Sequence, residues 1–190
     1  MLKLREEFWE KIRDIKVENL IFIDESGVNL AMVRLYARAL KGQRAYGNRP
    51  QKRGKNVSML SAVTLKKILT FFNVWGATDG VTFEAFIVRK LVPKLWKGAC
   101  VVLDNCSIHK GEEVEKAIKN AGGQVIYLSP YSPDFSQIEN CWSKIKGFLR
   151  TVGARTYQAL DEAIKQAYQQ ISSQDLCHWF THCCYYTSSI

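Results

Sequence analysis

The sequence has no acidic residue between Glu25 and Asp79. That interval holds ten lysines and arginines, while the whole chain of 190 residues carries a net charge of +9. The rest of the chain is therefore close to neutral, and the positive excess lies on one segment. Because protein surfaces usually mix both signs of charge, this segment favours a surface that binds a polyanion. A solvated basic loop with no partner is the alternative.

Other absences exclude whole classes of protein. No apolar stretch approaches the roughly 20 residues that span a bilayer, and the charged first residues are unlike a signal peptide. The six cysteines form no C-x-x-C pair, which disfavours a zinc ribbon or a disulfide framework. Neither a P-loop nor a dinucleotide-binding fingerprint is present. We therefore expect a cytoplasmic protein with reduced thiols and no membrane partner.

Hydrophobic residues make up 47% of the chain, enough for one domain with a real core. Their periodicity predicts strands and helices in an order typical of an α/β protein with a mixed sheet and helices on both faces. The predicted elements are a helix in 1–16, a strand in 20–24, a short strand or hairpin with a long basic loop in 30–55, two antiparallel strands in 56–64 and 67–75, a helix from Thr82 to Pro93, a strand in 100–103, a helix in 112–120, a strand in 124–128, helices in 137–150 and 156–171, and a last helix or turn.

Three carboxylates stand at the ends of predicted elements. Asp24 and Asp104 each follow an apolar strand, and Glu139 lies at the start of a helix. Open α/β sheets place their chemistry where strands leave the sheet, and Mg²⁺ prefers carboxylate oxygens. The sequence therefore predicts that the three acids meet and bind two divalent metal ions.

Each acid also has a structural interpretation. Asp24 could be a turn acid, and Asp104 could form an Asx turn with Asn105. Glu139 could belong to a capping box with Ser136. Asp134 is a candidate ligand of lower rank and is otherwise a turn acid. Glu25 is expected to face solvent or to form a salt bridge.

Three stretches resemble the motifs of DDE superfamily endonucleases, in particular bacterial insertion-sequence transposases related to mariner. They are FIDESG at 22–27, VLDN at 102–105 with His109 and Lys110, and the run from Leu128 to Asn140. Thirty-four residues separate Asp104 from Glu139, the interval that this family favours. The resemblance runs from about residue 5 to 185. It departs at Phe135–Gln137, where the family usually has Leu-Asn-Pro; we expect Ser136 to cap the helix instead.

The resemblance implies a ribonuclease H-like mixed five-stranded sheet and metal-dependent cutting and joining of DNA at insertion-sequence ends. It implies two Mg²⁺ or Mn²⁺ ions, with Asp24 bridging both, Asp104 binding one and Glu139 the other. The partners would be transposon ends and target DNA, a second copy of the chain in a homodimer on DNA, and a separately encoded helix-turn-helix segment. Such a protein would associate with the nucleoid. The residues expected to contact DNA are Arg38, Lys41, Arg44, Arg49, Lys52, Arg53, Lys55 and His109.

The resemblance also predicts how the chain is divided. Residues 1–17 would be a linker helix left from a missing N-terminal DNA-binding region, 18–175 the DDE catalytic domain, and 176–190 a C-terminal tail. One alternative is an inactive or regulatory DNA-binding remnant of a transposase that keeps the fold. Another is a small-molecule α/β enzyme with a nucleotide site. The stretch from Asp24 to Gly27 disfavours the second, because it provides no glycine-rich turn.

Overall fold

The computed structural model describes residues 2–130 and 132–186, which form a five-stranded sheet with helices on both faces. The strands are β1 (Leu20–Val28), β2 (Val57–Val63), β3 (Ile68–Trp75), β4 (Cys100–Leu103) and β5 (Gln124–Tyr127). The helices are α1 (Leu2–Ile12), α2 (Gly80–Phe86), α3 (Glu112–Asn120), α4 (Ile138–Val152), α5 (Tyr157–Gln169) and α6 (Ser173–His182).

The strand order is β3-β2-β1-β4-β5. The first three strands pair antiparallel, and β4 and β5 continue the sheet parallel to β1, which confirms the predicted mixed sheet. Phe22 of β1 lies opposite Val102 of β4. The same register continued by two residues puts Asp24 level with Asp104, so the sheet places two of the predicted carboxylates side by side on neighbouring strands.

Side chains alternate across the sheet and build two apolar layers. Phe22 and Val102 pack against α1, α4, α5 and α6, whereas Ile21 and Ile23 pack against α2 and α3. Because of this alternation, the two acidic residues that follow in β1 point to opposite faces of the sheet. Asp24 shares the face of Phe22 and α4, and the neighbouring Glu25 shares the face of Ile23 and α2.

Strand β1 is longer than predicted. It continues four residues past Asp24, because antiparallel pairing with β2 extends to Val28 opposite Val57. Asp24 therefore lies inside a strand and not at its end. The predicted short strand or hairpin after β1 is wrong: residues 29–56, all of them described, contain no helix or strand. Helix α2 also ends early, and a π-helical turn at Ile87–Leu91 precedes Pro93.

The expectation that Ser136 caps α4 is wrong, and so is the alternative in which Ser136 and Glu139 form a capping box there. The N-cap residue is Gln137 in αR conformation, and no side-chain cap bond forms there among the described residues. A capping box instead starts α6, where Ser172 accepts a hydrogen bond from the Asp175 backbone and donates its own N–H to the Asp175 carboxylate. Helix α6 crosses the predicted boundary at residue 175 and buries Leu176 and Phe180 in the core.

None of the helices described within residues 2–130 and 132–186 is both long enough and apolar enough to cross a membrane.

Candidate active site

A cavity of about 430 Å³ lies beside the ends of β4 and β5 and the first turn of α4. Asp24 from β1, Asp104 after β4 and Glu139 from α4 all line it. The polar part of the remaining wall comes from Ser129, Ser132, Ser136 and Asn105. The structure thus brings the three predicted carboxylates, one from each sequence motif, to a single cavity.

Asp24 is held by a tryptophan of α4. The indole Nε1 of Trp142 donates a hydrogen bond to Asp24 Oδ2 over 2.9 Å. Burial, together with the negative charges of Glu25 and Glu139, raises the pKa of Asp24 to about 7 against the lowering effect of the Trp142 hydrogen bond. The cavity therefore concentrates negative charge around a partly desolvated carboxyl group, which a cation would stabilise.

Asp104 is held by the turn that follows it. Its Oδ1 accepts a hydrogen bond from the Cys106 N–H over 2.9 Å, an Asx-type contact, and lies 2.5 Å from Nδ1 of His109. The side chain of Asn105 instead donates to the backbone oxygen of Leu128, which ties the turn to the end of β5. Burial would raise the pKa of Asp104, but the bonds from His109 and Cys106 outweigh it and lower that pKa.

His109 is completely buried and lies between two carboxylates. Its Nε2 is 2.9 Å from Glu25 Oε2 while its Nδ1 contacts Asp104, and the Phe83 ring packs against the imidazole at 4.2 Å between centroids. Burial acts to lower the pKa of His109, but the two hydrogen bonds and the two negative charges raise it to about 10. The expected contact of His109 with DNA does not fit this position, because both ring nitrogens face carboxylates.

The expectation that Glu25 faces solvent or forms a salt bridge is confirmed, and its partner is His109. Reasoning from sequence missed this pairing because the two residues lie 84 positions apart. The one signal for this pairing in the sequence is the alternation of side chains along a strand, which points Glu25 to the opposite face of the sheet from Asp24.

Glu139 is exposed in the first turn of α4. Its backbone N–H donates to the Ser136 carbonyl over 3.1 Å, and the alternative capping box with Ser136 does not form. A carboxylate in the first turn of a helix is stabilised by the helix dipole. At this position the Glu139 carboxylate lines the rim of the cavity.

The three carboxylates supply the hard oxygen donors that Mg²⁺ and Mn²⁺ prefer. In residues 2–130 and 132–186, however, no three Asp, Glu, His or Cys side chains are close enough together to hold one ion. The hydrogen bonds to Asp24 and Asp104 engage Oδ2 and Oδ1 respectively. The donor chemistry fits divalent metal ions, and the side chains would have to draw together around them.

The long segment 29–56 carries the other predicted contacts, and we call it the basic loop. All seven of its predicted DNA-contacting residues are exposed: Arg38, Lys41, Arg44, Arg49, Lys52, Arg53 and Lys55. Both ends of the loop are fixed to the connection between α4 and α5. Arg155 donates to the carbonyls of Leu30 and Met32, and the Tyr157 hydroxyl accepts from the Lys55 N–H over 2.6 Å.

The basic surface is larger than the sequence suggested. A cavity of about 600 Å³ is lined by Arg34 and Arg49 of the basic loop together with Arg150 and Arg155 near the end of α4. These last two arginines lie about a hundred residues further along the chain, so only the folded structure joins them to the loop.

Comparison with known proteins gives a consistent result. The family model described as DDE superfamily endonuclease matches residues 19–162. The fold is similar to that of the Mos1 transposase paired-end complex with the left transposon end, with a TM-score of 0.77, 14% sequence identity and coverage of 95% of this chain. It is also similar to the Mos1 mariner paired-end complex with Mn, with a TM-score of 0.74 and 12% identity over 95% of this chain.

This chain spans 57% of the length of each of those two transposase chains. It covers 85% of the crystallised catalytic domain of Mos1 mariner transposase, with 95% of its own length aligned, a TM-score of 0.69 and 11% identity. No protein of curated function matches the sequence. The predicted ribonuclease H-like fold is confirmed by these structural matches.

Proposed function

The chain belongs to the DDE superfamily endonucleases, and from this membership we propose that it is the catalytic domain of a transposase that cuts and joins DNA strands. The observation that carries the proposal is the single cavity lined by Asp24, Asp104 and Glu139. Each of these acids comes from a different sequence motif. The solved structures with the same fold include a Mos1 mariner paired-end complex with Mn and another with Mg.

We propose that Asp24 contributes to the binding of two Mg²⁺ or Mn²⁺ ions, Asp104 to one and Glu139 to the other. When bound, such ions activate the attacking oxygen and stabilise the leaving oxygen of a phosphodiester. The chain itself positions the ligands. Trp142 holds one oxygen of Asp24, and the turn after β4 holds one oxygen of Asp104.

DNA is the proposed substrate, at transposon ends and at the target. The exposed cations of the basic loop, extended by Arg150 and Arg155, would contact backbone phosphates. Such contacts hold the duplex without reading its sequence. Recognition of a particular end would need another segment, and the separately encoded helix-turn-helix partner remains a prediction, as does association with the nucleoid.

We also propose that the DNA-bound form is a homodimer. Leu35, Tyr36, Leu40 and Tyr46 of the basic loop are each at least 65% exposed. Large apolar side chains grouped on one exposed segment mark surfaces that partners cover. The mass of the complex with a duplex oligonucleotide decides whether one or two chains bind.

Nicking of supercoiled plasmid DNA in Mn²⁺ or Mg²⁺ tests the proposed activity. We expect the nicking activity of Asp104→Asn and of Glu139→Gln to fall by more than the ~10–100-fold that is typical when a group next to a metal ligand is changed. The reason is that an amide is a poorer ligand for a hard cation than a carboxylate. Thermal unfolding of Glu139→Gln should match the wild type, since the Glu139 side chain caps no helix in the described residues.

The matched control is Asp14→Asn, which removes a carboxylate that is 89% exposed and lies outside the cavity. It should nick DNA at the wild-type rate. Wild-type protein that leaves plasmid intact in both metals, or cleavage that survives Glu139→Gln, would contradict the proposed function.

A further inference from the structure

The pair formed by Glu25 and His109 has no part in the two-metal scheme. Glu25 lies on β1 but faces away from Asp24, and His109 lies in the 3₁₀ turn Ser107–His109 after β4. Their side chains meet at 2.9 Å, and the other imidazole nitrogen reaches Asp104 at 2.5 Å. A continuous chain of contacts therefore connects β1, through a buried ring, to one of the three cavity carboxylates.

We propose that Glu25 and His109 are positioning residues that hold the Asp104 carboxylate in the orientation in which it binds a divalent cation. The proposal rests on the proposed function, because it assigns these residues to the same metal site. Neither residue needs to touch DNA or metal. Glu25 acts on His109, and His109 acts on Asp104.

The geometry supports this order of action. The Asp104 side chain is 49% exposed, whereas the imidazole that contacts it is 0% exposed, so the ring is the fixed partner and the carboxylate the one that could move. The Phe83 ring packs on the imidazole, and the backbone N–H of His109 donates to the Cys106 carbonyl. These contacts immobilise His109 independently of Asp104.

Groups that orient a metal ligand through hydrogen bonds have a measurable effect. Changing such a partner typically weakens metal affinity or activity by ~10–100-fold. The competing interpretation is a purely structural cross-link between β1 and the turn after β4. A cross-link would stabilise the fold without favouring one end of the imidazole over the other, and this difference separates the two interpretations.

Two substitutions at His109 separate the nitrogens of the ring. In His109→Asn the short amide can place its NH₂ near the position of Nδ1 and still donate to Asp104, while the contact with Glu25 is lost. In His109→Gln the longer amide reaches the position of Nε2, so it keeps the contact with Glu25 and loses Asp104. Both variants remove the same imidazole and the same charge, so each is the electrostatic control for the other.

The measurement is Mn²⁺ binding to the metal-free chain by isothermal titration calorimetry, together with thermal unfolding and plasmid nicking. We expect His109→Gln to bind Mn²⁺ ~10–100-fold more weakly than the wild type and His109→Asn to bind it several-fold more tightly than His109→Gln. Melting temperatures of the two variants should fall by similar amounts, because both lose the ring that packs on Phe83. Equal Mn²⁺ affinities in the two variants would overturn the proposal in favour of a cross-link.

Glu25 provides a second test that leaves His109 in place. Glu25→Gln keeps an oxygen that accepts from Nε2 and should retain most of the Mn²⁺ affinity, whereas Glu25→Ala should lose affinity in the manner of His109→Gln. Affinity equal to the wild type in Glu25→Ala would overturn the role of Glu25. If the wild-type protein neither binds Mn²⁺ nor nicks DNA, both this proposal and the proposed function are overturned. If the wild type does both and the variants at His109 and Glu25 bind Mn²⁺ as tightly as it does, only the positioning role is overturned.

Discussion

At the scale of the residue, the alternation of a β-strand separates two neighbouring acids. Asp24 faces α4 and accepts from Trp142, and Glu25 faces α2 and contacts His109. A shift of one residue in the register of β1 would exchange the two sides. The full antiparallel pairing of β1 with β2, from Phe22 to Val28, fixes that register, so the extra length of the strand serves the site directly.

The raised pKa of Asp24 predicts how the stability of the metal-free chain depends on pH. Above about pH 4 the unfolded chain releases this proton, while the folded chain retains it until the pH passes about 7. The free energy of unfolding should therefore fall as pH rises from about 4 to about 7, by up to about 1.4 kcal/mol per pH unit from this residue. Urea unfolding of the metal-free chain at several pH values measures this fall in the free energy of unfolding.

Asp24→Asn isolates that contribution, because the amide does not titrate. The difference in stability between wild type and Asp24→Asn should change across this range, whereas Asp14→Asn should run parallel to the wild type. Saturating Mn²⁺ should weaken the fall in the wild type, since a bound cation competes with the proton. Parallel profiles for wild type and Asp24→Asn would show that Asp24 has an ordinary pKa.

At the scale of the element, the N-terminal helix is docked against the third motif. The guanidinium of Arg5 in α1 forms two parallel bonds with Asp134, at 3.0 and 2.5 Å, and donates to Ser132 over 3.1 Å. It also lies 3.9 Å from the centroid of the Phe135 ring. The α1 helix, predicted as a linker, thus packs beside the loop whose Ser132 lines the cavity.

We predict that Arg5→Lys and Arg5→Ala both loosen α1. Lysine keeps the charge but lacks the planar fork that bonds both carboxylate oxygens and stacks on the ring. Hydrogen exchange should accelerate several-fold at the amides of α1 and remain unchanged in β1 and β4. The control Lys3→Ala removes an exposed cation from the same helix. Unchanged exchange in Arg5→Ala would mean that Phe8 and Ile12, buried in the core, hold α1 alone.

Which elements could be predicted from sequence follows from what stabilises them. Strands β2 to β5 and helices α3 to α5 were predicted to within about two residues, because their apolar periodicity is the pattern that the core requires. The cap of α4 was predicted wrongly, because the local sequence favours Ser136 as the cap, whereas Gln137 occupies the N-cap position in the fold. The local sequence does not determine which residue becomes the N-cap once the helix packs in the fold.

At the scale of the whole molecule, the same limit applies to the candidate site. The three carboxylates could be found because each closes a recognisable motif, and the fold places all three at one cavity. The surroundings of His109 could not be predicted, since they come from Glu25 on β1 and Phe83 on α2, both distant in sequence. A motif identifies a residue, but only the packing of several elements shows what that residue touches.

The basic loop leads to the prediction at the largest scale. It connects β1 to β2, and its predicted DNA-contacting side chains are exposed. Each phosphate that a protein neutralises on duplex DNA contributes about −0.9 to the slope of log affinity against log salt. Replacing Lys41 and Arg44 together by glutamine should therefore flatten that slope by up to about two units, and so should replacing Arg49 and Lys52 together.

The charge-matched control replaces Lys116 and Lys119 of α3, each 67% exposed and paired with a glutamate of the same helix. This pair removes the same net charge from a surface remote in sequence from the loop and should leave the slope nearly unchanged. Because phosphate contacts carry no sequence information, the loop variants should lose affinity equally on unrelated duplexes. The prediction fails if the α3 control flattens the slope as much as the loop variants do. It fails equally if the isolated chain prefers one DNA end over random duplex by the ~10³-fold or more of a specific binder.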